Sequence, residues 1–396
     1  MLKGSSIVVV HGARIPTGSF GGYYTHIPNH ELGAVAAREA ALRAGIEMTD
    51  VDEFIVGCVG QTAGDAYISR RIALGAGGRI SSTAMNVNRV CGSGLQAIIT
   101  GAQQLTCGQH RVVMVGGSEN MSRQPYMDFG RRFGARMGGG ELVDGTLSMI
   151  SDPFNGEPMG ITAERVAEKF GVSRNDQDVF AAESQHRAQA AIGRGDFDKE
   201  RVAFTLPSRK WMQERTIIDD EYPRSNVTVE KLAALRPAFQ EDGTVTAGNS
   251  SGINDGAAML VLMRREDAEV AGLTPLAELV GSATVGVEPE LMGYAPKFAI
   301  EKVLADSGLS LNDIGWIELN EAFAAQAVAV IRDAGLNPDI VNPFGGAIAL
   351  GHPVGASGAI ISLRAILNQR ERGIEHSLIT LCIGGGQGIA AIFRAL

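Results

Sequence analysis

Two cysteines and one histidine, each beside glycine-rich sequence, are the residues here with the chemistry of nucleophilic catalysis. Cys91 follows Met85-Asn-Val-Asn-Arg-Val90 and precedes Gly92-Ser-Gly94 and a helical pattern over Leu95 to Leu105. That spacing predicts a thiol at a strand-to-helix turn, where free backbone N–H groups and the helix dipole favour thiolate and lower the thiol pKa. We read Cys91 as a nucleophile; the plainer alternative is a small buried residue at a tight turn. His352 lies in Gly345-Gly-Ala-Ile-Ala-Leu-Gly-His-Pro-Val-Gly355. A lone histidine is more often structural, but this one stands just before a second predicted helix start. Of the other six, His26, His30, His186 and His376 read as surface residues. Cys382 precedes Gly384-Gly-Gly-Gln-Gly388 at a strand end. It is either a bland buried cysteine or a site residue beside backbone N–H groups that could hold an oxyanion. The glycine run lacks the helix and acidic residue of a dinucleotide fingerprint. Asn320-Glu-Ala-Phe323 follows the strand Gly315 to Leu319, and Asn320 either caps the helix predicted over Ala322 to Ala334 or aims a donor into the site through a water.

The elements that must position these residues alternate. Ile7 to Val10, Phe54 to Val59 and Val112 to Val115 read as buried strands. Glu31 to Ala44 reads as a helix with an apolar stripe. Such alternation implies an α/β fold with a mostly parallel sheet covered on both faces. An internal repeat is stronger evidence. Ala41 to Ile46 with Asp50 to Gly57 answers Leu304 to Leu309 with Asn312 to Leu319; Val90 to Gly94 answers Val354 to Gly358; Val112 to Gly117 answers Thr380 to Gly385. The offsets, 262 (Phe54 to Trp316), 264 (Cys91 to Gly355) and 268 (Gly116 to Gly384), keep one order and nearly one value. Two copies of one unit meeting at a pseudo-two-fold follow. That symmetry brings the Cys91 and His352 turns together and pairs Cys382 with Met114.

Between the copies, from about 120 to 248, the chain is richer in Arg, Asp and Glu. Helices are predicted over Ile161 to Phe170 and Asp176 to Ile192, and loops over Arg131 to Gly140, Ser151 to Gly156 and Pro207 to Arg224. We read this as an insertion over one face of the first copy, with the strand Ala257 to Leu262 returning to that copy's sheet.

Composition bounds the function. The 396 residues are 45% hydrophobic and 20% charged, enough for a large core. A net charge of −9 argues against nucleic acid as the main partner. Four scattered cysteines with no C-x-x-C spacing point to reduced, mostly buried thiols rather than a disulfide framework or zinc site. No apolar run has the length of a signal or a membrane span, and Arg394-Ala-Leu396 is not a peroxisomal address. The expectation is a cytoplasmic protein without membrane partners.

Seven stretches, in order over essentially the whole chain, resemble the thiolases (acetyl-CoA C-acyltransferases): Asn88 to Gly94, Gly116 to Ser122, Met159 to Glu164, Thr246 to Ala257, Asn320 to Phe323, Gly345 to Gly358, and Leu381 to Gly386. The resemblance implies a duplicated α/β sandwich of two mixed sheets with layered helices. Its halves would be residues 1–119 with 250–270, and 271–396, with a loop domain at 120–249 covering coenzyme A. It implies that Cys91 is acylated by acyl-CoA, that His352 takes its proton, and that Cys382 is acid and base at the α-carbon of acetyl-CoA. His352 and a water on Asn320 would hold the enolate, and the N–H groups of Cys91 and Gly384 the other oxyanion. Coenzyme A would meet Arg224, Ser251, Met159 and Phe323, although Arg224 alone also reads as a solvated loop charge. No metal or redox cofactor is implied; acyl-CoA and acetyl-CoA are the partners, and a homodimer or homotetramer acting in fatty acid metabolism is the expected assembly. Pro158-Met-Gly160, Lys231 and Phe298 depart from the short-chain pattern and leave acyl length open. The rivals are a ketoacyl or hydroxymethylglutaryl-type synthase, which lacks a cysteine at the place of Cys382, and a non-catalytic acyl-CoA-binding protein, which would lack one of the three reactive residues. A nicotinamide-dependent oxidoreductase is the remotest.

Overall fold

The computed structural model describes residues 6–134, 136–208 and 213–396. Residues 135 and 209–212, inside two of the predicted loop runs, lie outside it. Nine strands carry the fold: β1 (Ile7–Arg14), β2 (Glu53–Gly57), β3 (Thr83–Val87), β4 (Val112–Asn120), β5 (Asn254–Arg264), β6 (Ala277–Gly286), β7 (Ile314–Leu319), β8 (His376–Ile383) and β9 (Gln387–Ala395). The helices used below are α1 (Asn29–Ala44), α2 (Ser93–Thr106), α3 (Met159–Phe170), α4 (Arg174–Arg194), α5 (Ala295–Ser307), α6 (Ala324–Asp333) and α7 (Ser357–Glu371).

The sheet order is β7-β8-β9-β6-β1-β5-β4-β2-β3, with Gly18–Ser19 a short tenth strand on β5. The duplication is visible in this order. From the centre outward the first half runs β1, β5, β4, β2, β3, and the second runs β6, β9, β8, β7. In both, the inner pairings are antiparallel and the outer ones parallel, and a bridge from Ile317 to Val341 stands where β3 pairs β2. The two sheets that the resemblance implies are joined into one. Val8 pairs Glu278 and Val9 pairs Ala277, because the two inner strands would otherwise leave facing edges of unpaired N–H and C=O groups. The continuous apolar runs of the central strands are explained by helices on both faces: all nine residues of β4 are buried.

The halves also meet through α2 and α7. A Cβ on Gly94 would lie 2.7 Å from the Ala359 nitrogen, and one on Gly358 2.4 Å from the Leu95 nitrogen. Only glycine at both positions lets the two backbones touch. The helix starts that carry the Cys91 and His352 turns are thereby packed together.

Three readings need correction. The equivalence of Cys382 with Met114 fails, since Met114 is the third residue of β4 and Cys382 the seventh of β8. The insertion does not simply cover the first half. Its hairpin of Phe204–Leu206 and Arg215–Ile217 packs in the first half's core, but α3 and α4 pack against α6 of the second. His376 opens β8 and is buried, not a surface residue, whereas His26 and His186 are exposed.

Candidate active site

Cys91 sits on a strained turn. Val90 before it has φ +45°, a conformation that β-branched residues avoid and that costs about 1–3 kcal/mol. The turn is clamped. Asn88 Oδ1 accepts from the Val90 nitrogen at 3.0 Å, and Ser93 Oγ donates to the Val90 carbonyl at 2.6 Å while accepting from the Arg89 nitrogen at 2.9 Å. α2 begins with Ser93, two residues on. The backbone N–H groups of Gly384 and of Cys91 itself point at the Cys91 sulfur and favour its thiolate. The expected lowering of its pKa does not follow, however. Burial outweighs those donors and pushes the thiol up to about 11. Cys91 at rest is a neutral thiol, and as a nucleophile it would need a base.

His352 can be that base. Its Nδ1 lies 2.6 Å from Ser357 Oγ, and that hydroxyl lies 2.9 Å from the Pro353 carbonyl. The carbonyl only accepts, so the single hydroxyl proton goes to it, and Ser357 must accept from Nδ1–H. Nε2 is left with a free lone pair. Burial lowers the imidazole to about 4 and keeps it neutral. The Asn320 amide nitrogen faces Nε2 at 3.4 Å, which sets the amide with nitrogen inward and Oδ1 away. Asn320 caps nothing: the residue before α6 is Phe323.

Cys382 lies one residue before the end of β8, and the glycines after it form the turn of the β8–β9 hairpin rather than a dinucleotide loop. Gly385 and Gly386, both at φ +86°, let the chain reverse there. Burial raises the Cys382 thiol far above the ordinary range, and negative charge at Cys91 raises it further, so the two sulfurs share one site. The Cys382 thiol donates to Gln326 Oε1 at 3.7 Å. Met159 and Phe323 pack beside Cys382 with Met292 and Ala322. Met159 also covers Gly384.

The structure thus brings Cys91, Cys382, Gly384, Met159 and Phe323 together and pairs Asn320 with His352. Ser251 is tied to the same wall, since its nitrogen donates to the Ala322 carbonyl at 2.9 Å and Ser250 bridges Phe323. Arg224 lies further out. Its guanidinium is exposed over the Tyr222 ring, 5.5 Å from the centroid, and that ring fills the space beside Gly252. No group of three or more acidic, cysteine or histidine side chains able to hold a metal occurs among the described residues. No helix among them is long and apolar enough to cross a membrane.

Three positioning residues escaped the sequence reading. Asn254 Oδ1 accepts from the His352 nitrogen at 2.9 Å. Gln326 is a lone amide in the alanine-rich apolar face of α6, and a polar residue in such a face is a readable signal. Glu119, fully buried, accepts from the nitrogens of Val59 (2.8 Å), Gly60 (3.0 Å) and Gly355 (3.0 Å). It fixes the His352 loop to the first half, although burial raises its carboxyl to about 7. Glu119→Gln turns one acceptor oxygen into a donor facing backbone donors. It should cost about 1–3 kcal/mol, read as a lower midpoint in denaturant unfolding. Unchanged stability would show that these three bonds do not hold the loop.

Comparison with known proteins then decides the family. Residues 7–266 match the family model for the thiolase N-terminal domain, and residues 273–395 that for the thiolase C-terminal domain. The chain belongs to the thiolase family. It is 46% identical to beta-ketothiolase BktB of Cupriavidus necator over 98% of this chain and 99% of that protein. It is also 46% identical to a probable acetyl-CoA acyltransferase of Staphylococcus aureus, over 98% of each. Among solved structures, the acetyl-CoA acetyltransferase of Bacillus anthracis superposes with a TM-score of 0.97 at 41% identity, covering 99% of both chains. Human mitochondrial 3-ketoacyl-CoA thiolase in complex with CoA superposes with a TM-score of 0.95 at 38% identity, covering 99% of this chain and 98% of that one. This thiolase is therefore an acyltransferase acting on coenzyme A thioesters.

Proposed function

We propose that this thiolase works through an acyl-Cys91 intermediate. Cys91 attacks the thioester carbonyl as His352 Nε2 takes its proton; the carbon–sulfur bond to coenzyme A breaks, and coenzyme A leaves as a thiolate that Cys382 protonates. The Cys382 thiolate then takes an α-proton from acetyl-CoA. The enolate attacks acyl-Cys91, and the tetrahedral adduct expels Cys91, which recovers its proton from His352. Thiolysis of a 3-oxoacyl-CoA is the reverse. Every step moves electron pairs between sulfur, carbon and oxygen, so the scheme calls on no metal or redox group. The enolate oxygen is held by His352 and a water on Asn320, and the tetrahedral oxyanion by the Cys91 and Gly384 N–H groups.

The observation that carries this reading is the aim of the Gly384 N–H at the Cys91 sulfur, in a site where that sulfur also acts on Cys382. Coenzyme A would lie along Met159, Phe323 and Ser251 with Arg224 near its phosphates, beneath the 120–249 loop domain and between the halves 1–119 with 250–270, and 271–396. We place the protein in the cytoplasm, where two thiols stay reduced, in the metabolism of fatty acyl thioesters. We infer a homodimer or homotetramer. Supporting this are a partly exposed edge strand, β3, paired on one side only among the described residues, and exposed Phe129, Phe133 and Met137.

The test is mass spectrometry after incubation with acetyl-CoA. An acetyl adduct should appear on the Cys91 peptide; one on another cysteine would overturn the roles. Because His352 already lacks its proton above about pH 4, the rate of adduct formation should show no inflection near the ordinary histidine value of about 6.5. It should fall only as the pH approaches 4. An inflection at about 7 that vanishes in Glu119→Gln belongs to Glu119.

A further inference from the structure

Behind Asn320 lies a small cavity of about 20 Å³. Its polar lining is Arg14, Thr17, Asp220, Asn320, Ser357 and Arg364. Asn320 is 2% exposed and Arg364 3%. The Ser357 bond fixes the His352 tautomer, the tautomer fixes the Asn320 amide, and the amide therefore turns Oδ1 away from the reacting groups. That Oδ1 has no hydrogen-bond partner among the described residues, and neither has Arg364 Nε. Arg364 is anchored by its other two nitrogens, to Glu200 at 3.1 Å and Glu318 at 3.8 Å. Arg14 is held by Glu200 at 2.7 Å and by Asp220 at 2.6 Å. A buried acceptor and a buried donor, both unmatched, thus belong to two side chains that line one cavity.

Leaving either group unpaired costs about 1–3 kcal/mol, and a water needs only about 10–15 Å³ and two to four polar partners. We propose that the cavity binds a single water, which accepts from Arg364 Nε–H and donates to Asn320 Oδ1, and that Arg364 is through it a positioning residue for Asn320. The second water proton goes to Asp220 or Thr17. The arrangement locks the amide from behind, so that its N–H side stays turned to His352 Nε2 and the enolate. The buried ion cluster of β1, α7 and the insertion thereby bears on the carbon–carbon step while touching neither sulfur.

The water site stands independently of the mechanism; only its effect on turnover rests on the role proposed above for Asn320. A crystal structure of the unmodified protein at atomic resolution should show an ordered water about 2.7–3.2 Å from both Asn320 Oδ1 and Arg364 Nε. A dry cavity, or an Asn320 amide with oxygen toward His352, overturns the proposal. Arg364→Lys keeps the charge beside Glu200 and removes Nε. Condensation should fall about 10–100-fold, as for other groups that orient a reacting residue, while acetylation of Cys91 stays within about threefold. Equal losses in both half-reactions, or condensation at full rate, overturn the positioning role. If this variant does not fold, the crystallographic water decides. If the unmodified protein never acetylates Cys91, the mechanism fails and the water site is still judged by its own density.

Discussion

Cys91→Ala is expected to lower thiolysis and condensation by at least about 10⁴-fold, with coenzyme A esters still bound. The two N–H donors at the sulfur can polarise a thioester carbonyl, but without the sulfur nothing adds to it. Cys91→Ser should be almost as inactive. A hydroxyl is harder to deprotonate than the thiol at about 11, and an imidazole lowered to about 4 is a weak base for it. Steady-state rates with acetoacetyl-CoA and the mass of the Cys91 peptide after acetyl-CoA check both variants. Their folding should be normal, because Asn88 and Ser93 hold the turn and the Cys91 side chain does not. Serine at near-normal rates would mean that the proton leaves by a route other than His352.

The sequence made the duplication and the candidate trio of Cys91, Cys382 and His352 legible for a physical reason. Glycines at fixed offsets mark where two helix starts must touch, and Cys91 and His352 stand beside those glycines. Gly94 against Ala359 and Gly358 against Leu95 are that contact. Helices and strands read from apolar periodicity lie within a few residues of the observed ones, as in Asn29–Ala44 for Glu31 to Ala44. Properties set by environment were not legible. The thiol at a helix start should ionise easily, yet burial wins, and burial depends on segments such as the one carrying Gly384 arriving from far along the chain. Glu119 and Asn254 lie in the observed strands β4 and β5, beyond the strands read from the sequence, and their role exists only once the His352 loop crosses from the other half. The joining of two sheets likewise rests on two residue pairs, which no local pattern encodes.

The third group of the trio gives the sharper separation of steps. Cys382→Ala should leave acetylation of Cys91 within about tenfold of normal, since a coenzyme A thiolate leaves without much help. Condensation and thiolysis should fall about 10³-fold, within the usual range for losing a general acid or base. The same variant should stop exchange of the acetyl-CoA α-protons with deuterated water, which reports carbon acidity alone. At rest the thiol donates to Gln326 Oε1, and burial keeps it protonated. It becomes the base only by giving its proton to the departing coenzyme A thiolate, so the carbon acid step follows acylation. A Cys382→Ala enzyme that still exchanged α-protons at the normal rate would move the base elsewhere, and His352 would be the first group to test.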